Sequence, residues 1–495
     1  MTRSSGVWDR SREGIVLGLA SLGLVATRLY RIDDPITSSG WAFRYTQTAY
    51  GIRSLMRDGL NPLEMQVPVL GPPWKIPYEF PLFQLLGAAV GRILSLDPAV
   101  AGRLVAVVAF ALAAVAVYVL GRTLFTTRVA VVSYVIFAWS AYGFNWGGEV
   151  LIDYLSVALC VAGLAVMLRP MPTSRWTLVT AIGLSGLGAL TKITTAYPWV
   201  VIFGVALAWH VRRDRRRLVR ITIWASAALA PALAWNRYAD SVKGANPHTE
   251  WLTSWNLNAH HFRSSRELLE ASQWRSLIEH TTEPIVGSIL LAVALMLVAT
   301  LAPWSARPSR LLAVVLLAPP LTLTGLYLAH DYYFIAVSPA LAMLAGVGIE
   351  TIRRLIAHSW RTGHGMHATV LAALIVVGLS WISPEGVENL NNSLPGSAAE
   401  PLSFDEVNAT TTPDDHLLVV GMDWSPVFLY TVDRKGLMLR PGGTRPDDGE
   451  LGTYYEYVYW AESNPTPEQW AEYFPADLRY EAISANFFRI LPLAS

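Results

Sequence analysis

Apolar runs long enough to cross a bilayer recur along this chain, and its arginines collect between alternate pairs of them. Crossing takes roughly 20 mostly apolar residues, within a range of about 17–25. Runs at 15–30, 100–120, 129–146, 151–168, 176–191, 195–209, 218–235, 285–303, 311–328, 332–349 and 368–382 approach that length. Only 15% of the residues are charged, against roughly 25% in ordinary soluble proteins. The expectation is a polytopic α-helical membrane protein of about 11 transmembrane helices, with the lipid bilayer as its first partner. The run at 15–30 is read as a retained anchor, because no convincing small-residue cleavage site follows it. The single cysteine, Cys160, excludes an intrachain disulfide and a cysteine-based zinc site.

The segment 81–96 is a twelfth possible crossing, interrupted by Gln84, Gly87, Gly91 and Arg92. Cytoplasmic loops carry the excess of Lys and Arg. If 81–96 does not cross, the basic N-terminus, 122–128, 169–175, "VRRDRRRLVR" (211–220), 307–310 and 353–361 all share one side. If it crosses, "VRRDRRRLVR" faces outward while the N-terminus stays inside. The segment is therefore expected to be interfacial or re-entrant, with the N-terminus cytoplasmic and the C-terminus outside the inner membrane.

This orientation leaves 31–99, 236–284 and 383–495 outside. Residues 383–495 hold 18 acidic and 6 basic residues, a net −12; the rest holds 19 and 32, a net +13. The predicted division is a membrane domain over 1–382 and a small soluble α/β domain over 383–495. In the first loop, Ser38 or Ser39 caps a helix that Gly59 ends. Trp41, Tyr45, Ala49, Ile52 and Met56 share its face, which suggests a helix lying at the headgroups. Leu268, Ala271, Trp274 and Ile278 repeat the pattern more weakly. In the tail, "HLLVVG" reads as a buried strand, followed by a helix from Ser425-Pro426 to near Gly436.

Titratable residues gather near the outer ends of the runs. Asp33 and Asp34 follow the first, Glu79 opens 81–96, and Glu149 and Asp153 sit in "NWGGEVLIDY". Lys192 lies in "LTKITTAYPW", and His330, Asp331 and Tyr333 in "LAHDYYFIAVSP". Each alone has an ordinary reading, as a boundary residue, a snorkelling lysine or an interfacial tyrosine. Their recurrence on one side suggests an outward-facing reaction centre. A carboxylate there suits removal of a proton from an acceptor hydroxyl. The cations suit charge growing on a departing phosphate. No HExxH, P-loop or GxSxG pattern occurs.

These motifs, in this order over roughly 14–382, resemble the polytopic glycosyltransferases of the GT-C fold. The likeness is to the branch of the protein O-mannosyltransferases and the lipid A aminoarabinose transferase. It is carried by acidic residues after the first run, "RYTQTAYGIRSLMRDGLNP", "YEFPL", "GGEVLID", "LTK" and "HDYYFIAVSPALAMLAGVG". The resemblance implies a polyprenyl-phosphate sugar donor, an extracytoplasmic glycan, lipid or protein acceptor, and inversion at the anomeric carbon. It implies Asp34 as general base, with Asp33 and Glu79 as alternatives, because an Asp-Asp-Pro stands where many relatives carry Asp-Glu. Lys192, His330 and Arg44 are implied at the donor phosphate and Asp153 at substrate; by their position at the same outer face, Tyr333 is a further candidate for the phosphate and Glu149 and Asp331 for substrate. No cofactor is expected beyond the donor, a divalent metal stays open, and nucleic acid is not an expected partner. The alternative function is a transporter or flippase of lipid-linked sugars, a class that favours inverted repeats and charges at the bilayer midplane.

Overall fold

The computed structural model describes residues 7–30, 32–37, 41–169, 174–211, 215–262, 270–287, 289–362, 404–440, 445–461, 465–475 and 478–491. The helices run in the order α1 (Val7–Leu29), α2 (Ala42–Asp58), α3 (Leu82–Leu94), α4 (Pro98–Leu124), α5 (Thr127–Trp139) and α6 (Ala141–Trp146). Next come α7 (Asp153–Met167), α8 (Arg175–Thr191), α9 (Ile193–Val211), α10 (Arg215–Gly244) and α11 (Asn258–His261). They continue with α12 (Ala271–Val286), α13 (Ile289–Leu301), α14 (Ala306–Thr322), α15 (Thr324–Ala329) and α16 (Ser338–Arg361). The tail holds α17 (Asp405–Thr410), β1 (His416–Val420), α18 (Val427–Val432), β2 (Lys435–Leu439) and β3 (Tyr455–Trp460). It closes with α19 (Pro467–Tyr473), β4 (Tyr480–Ala482) and β5 (Phe487–Ile490).

Ten of the eleven apolar runs fall on helices, and 368–382 lies outside the described residues. Several runs are broken rather than continuous; the one at 285–303, for example, is interrupted at Gly287 (φ 84°) between α12 and α13. Ser140 takes an extended conformation after α5 and caps α6 through Gly143 N. Pro319 and Pro320 stand in the last turn of α14, so the run at 311–328 restarts as α15. The run at 332–349 opens as a 3-10 turn over Asp331–Ala336 before α16. Among the described residues one helix, α4, is long and apolar enough by itself to cross a bilayer.

The chain divides into two compact units. One takes Met1–Asp33, Arg103–Trp235 and Asn258–Ser397; the other takes Asp34–Gly102, Asn236–Leu257 and Ala398–Ser495. This differs from the predicted boundary at 382/383, because the tail sheet shares its unit with the first long loop and with Asn236–Leu257 of the second.

In the helical unit, α7 and α8 pack closely through small residues. A Cβ on Gly188 would lie 3.0 Å from the carbonyl of Ser156, and one on Gly163 2.9 Å from that of Ala181. Ser156 Oγ donates to the carbonyls of Gly188 (2.9 Å) and Lys192 (3.3 Å). In an apolar solvent, close backbone approach is a main source of helix association. Gly188→Val is expected to cost about 1–3 kcal/mol by overpacking, read as a lower melting temperature in detergent. An unchanged melting temperature would mean that the two backbones stand further apart.

In the sheet-containing unit the strand order is β2-β1-β3-β5-β4. β1 is parallel to β2 and β3, while β5 runs antiparallel to β3 and to β4. Leu417 and Val419 face one buried cluster, and Leu418 and Val420 another. Burial on both faces explains the unbroken apolar run of β1. Val67, Val69, Leu70 and Ile76 from the first loop enter the first cluster. Gly436 N of β2 donates to the carbonyl of Pro68 (2.8 Å).

Three local expectations shift. α2 begins at Ala42 with Trp41 at its N-cap and no side-chain cap; Ser38 and Ser39 lie outside the described residues. Its Tyr45, Ala49 and Ile52 are buried, with Ile52 against Gly87 of α3, so this face meets protein rather than headgroups. Arg53 and Arg57 pair with Asp433 (2.8 and 3.1 Å). The outward apolar residues belong instead to α3, at Leu86, Ile93 and Leu94. At 13 residues, α3 is about 20 Å long, short of the ~30 Å hydrocarbon core. In the second loop, Leu268 lies outside the described residues, and α12 exposes Ile278 and buries Leu277. The tail helix ends before Gly436, because Asp433 turns left-handed (φ 52°) and Gly436 enters β2.

Candidate active site

The predicted residues fall in both units. Asp33, Glu149, Asp153, Lys192, His330, Asp331 and Tyr333 belong to the helical unit; Asp34, Arg44 and Glu79 belong to the other.

The densest constellation is built on helix ends. Asp153 is the first residue of α7 and Lys192 caps the C-terminus of α8. The helix dipoles favour an anion at the first position and a cation at the second. Lys192 Nζ lies 3.0 Å from Asp153, and Thr195 Oγ1 in the first turn of α9 donates to Asp153 Oδ1 (2.7 Å). Both charges are enclosed, Lys192 being 1% and Asp153 0% exposed. The ammonium also sits 4.5 Å from the ring centroid of Tyr333 and 5.1 Å from that of Tyr332. His330 stacks on Tyr332 at 5.4 Å. Tyr142 donates to the carbonyl of Asp331 (2.8 Å), and Trp199 Nε1 to that of Ala336 (2.7 Å), which fixes the "HDYYFIA" turn. Asp153, Lys192, His330 and Tyr333 are thus brought together, and the lysine meets a carboxylate inside protein.

Glu149 has a different partner. Arg103 Nη2 donates to it (3.2 Å), while Nη1 of the same arginine donates to the carbonyl of Ile32 (3.2 Å), beside Asp33. Asp33 is exposed and Asp34 half-buried. Arg103 and Arg28 were missed from sequence. Arg28 is buried, donates to the carbonyl of Ala138 (3.1 Å) and lies over Phe144 at 4.4 Å. The signal was available: both arginines interrupt apolar runs, where a charge is costly and points to a site.

In the sheet-containing unit, Arg44 Nη2 donates to Glu79 Oε1 (3.0 Å), and its Nη1 donates to Gln47. Their chain neighbours Phe43 and Tyr78 contact Trp424, at 4.6 and 6.1 Å between ring centroids, and Trp424 stands edge-on to Trp251 at 5.5 Å. Glu79 is therefore a held carboxylate next to an aromatic cluster. Among the described residues, no group of three or more His, Cys, Asp or Glu is placed to hold a metal ion.

Residues 79–235 match the family described as dolichyl-phosphate-mannose-protein mannosyltransferase. That stretch begins at Glu79 and contains Arg103, Glu149, Asp153 and Lys192. Comparison with curated protein sequences gives no match. Among solved structures, ArnT from Cupriavidus metallidurans bound to undecaprenyl phosphate superposes with a TM-score of 0.59 at 15% identity, over 97% of this chain and 99% of that one. The chain has the GT-C fold. The archaeal oligosaccharyltransferase AglB from Archaeoglobus fulgidus, in complex with an inhibitory peptide and a dolichol-phosphate, shares it. There the TM-score is 0.58 at 12% identity, over 98% of this chain and 74% of that one. The arabinofuranosyltransferase AftD from Mycobacteria gives 0.56 at 16% identity, over 92% of this chain and 35% of that one. At these identities the likeness lies in the GT-C fold, and the chemistry rests on the residues described above.

Proposed function

We propose that the protein is a membrane glycosyltransferase that moves a sugar from a polyprenyl-phosphate donor to an extracytoplasmic acceptor. The observation that carries this reading is the end-to-end GT-C match to a structure holding undecaprenyl phosphate, together with the family match over 79–235. The distribution of arginines supports eleven crossings of the inner membrane, with the N-terminus cytoplasmic and the tail outside.

In the proposed reaction a carboxylate, Asp34 in the first instance, takes the proton of an acceptor hydroxyl. The freed oxygen attacks the anomeric carbon from the face opposite the phosphate. The carbon–oxygen bond to the phosphate breaks, its electron pair leaves with the polyprenyl phosphate, and the configuration inverts. Cationic side chains stabilise the leaving charge. Arg28 and Arg103, buried cations of the helical unit, are the groups to test there. The Lys192–Asp153 pair is assigned to holding Tyr332, Tyr333 and His330 in position, and Glu79 with Arg44 to holding a sugar or acceptor.

The test is the purified protein in nanodiscs, given a panel of polyprenyl-phosphate sugars with mass detection of products. Release or transfer of sugar from at least one donor is expected. Binding of donors without turnover across the panel would favour a carrier of lipid-linked sugars instead.

A further inference from the structure

Where α10 leaves its apolar run, the sequence turns polar, with Asn236, Arg237, Asp240 and Ser241 within six residues. Together with Ser254 these side chains line an open cavity of about 520 Å³. That volume falls among small-ligand sites of ~300–1,000 Å³, which are mostly apolar with a few polar groups. This one keeps that balance, a largely apolar wall with donors and acceptors set into it.

The wall is fixed by its own bonds. Asp240 Oδ1 accepts from Ser254 N (2.9 Å) and pairs with Lys243 (3.2 Å). Buried Lys243 donates to the carbonyl of Leu252 (2.8 Å), and Thr249 Oγ1 donates to that of Lys243 (2.8 Å). The turn carrying Ser254 is therefore tied to α10. The residue after Ser254, Trp255, is 82% exposed, a large apolar plate next in sequence to the cavity lining.

A sugar ring has an apolar face of C–H bonds and a rim of hydroxyls that both donate and accept. Trp255 offers a flat surface to the first. Arg237 as donor, Asp240 as acceptor, and Asn236, Ser241 and Ser254 as both suit the second. The lining residues carry one cation, Arg237, and one anion, Asp240, the latter already paired with Lys243, so the wall has no excess of either sign and suits a neutral ligand. We infer that this cavity is a carbohydrate subsite that takes a neutral oligosaccharide, with one ring stacked on Trp255. Its role as the acceptor's seat rests on the glycosyltransferase reading; the binding itself does not.

Full-length protein in nanodiscs is titrated with mannotriose, maltotriose and chitotriose, with binding followed by saturation-transfer NMR. At least one trisaccharide is expected to bind. Trp255→Ala and Asn236→Ala should each weaken it roughly tenfold, the scale of one lost contact of about 1.4 kcal/mol. Because Trp255 is exposed, its removal leaves the fold intact. The inference is overturned if none of the three binds or if both variants bind as the wild type does. It is equally overturned if inorganic phosphate occupies the site and Arg237→Gln abolishes that binding. Sugar release from a polyprenyl-phosphate donor, followed on the wild type in the same preparation, separates the two readings. Trisaccharide binding without turnover keeps the subsite and removes the transferase, whereas turnover without binding does the reverse.

Discussion

Asp34→Asn is expected to lower the rate of sugar transfer by about 10²–10⁴-fold, the usual contribution of a general base. The substitution is isosteric, and Asp34 lies half-buried just beyond α1, so the melting temperature should stay where it is. The fall should appear in kcat, since the proton moves only as the acceptor attacks. Asp33→Asn, at the exposed neighbour, should cost far less. Glu79→Gln should act differently again. Glu79 already accepts from Arg44 at 3.0 Å, an arrangement suited to holding a ligand, so its loss should raise KM more than it lowers kcat. If Asp34→Asn keeps full kcat while Glu79→Gln loses it, the base is Glu79 and the assignments exchange.

Lys192→Met is the second large effect. It leaves Asp153 at 0% exposure with Thr195 alone as a side-chain donor among the described residues. Removing one partner of a buried ion pair typically costs about 3–5 kcal/mol. The protein should unfold at markedly lower temperature in detergent. The double variant Asp153→Leu/Lys192→Met should recover most of that loss, because well-packed apolar pairs often match a buried ion pair in stability. It should not recover transfer, because the ammonium that Tyr332 and Tyr333 rest against is gone. Recovery of both stability and activity would reduce the pair to a packing element.

The sequence carried the helices well, because a bilayer imposes one requirement, apolar length, on every crossing. It carried the breaks poorly. Ser140 ends α5 by turning extended, and the Pro319-Pro320 pair removes two backbone donors; an apolar window registers neither. Residues on helix ends, such as Asp153 and Lys192, stood out as charges in apolar surroundings. Their contact with each other depends on the small residues between α7 and α8, which hydropathy reads only as more apolar sequence. α2 misled for a related reason. An amphipathic stripe reports that one face avoids water, and whether lipid or α3 covers it is decided elsewhere in the chain. The tail strands were legible from β1, where four apolar residues in succession need burial on both faces.

The sheet-containing unit draws on Asp34–Gly102, Asn236–Leu257 and Ala398–Ser495, with Val67, Val69 and Leu70 in the same cluster as Leu417 and Val419. A ribosome delivers these pieces far apart in time, since more than a dozen described elements are made between the first and the last. Until β1 and β2 emerge, the apolar side chains of 67–70 have no sheet to cover them. The unit is therefore completed after synthesis, and a nascent chain halted before residue 416 should be recognised by quality control as unfinished. A C-terminal fragment starting at 404 inherits the complementary defect, a β2 edge without its 68–71 cover, and should associate through that edge rather than stay single.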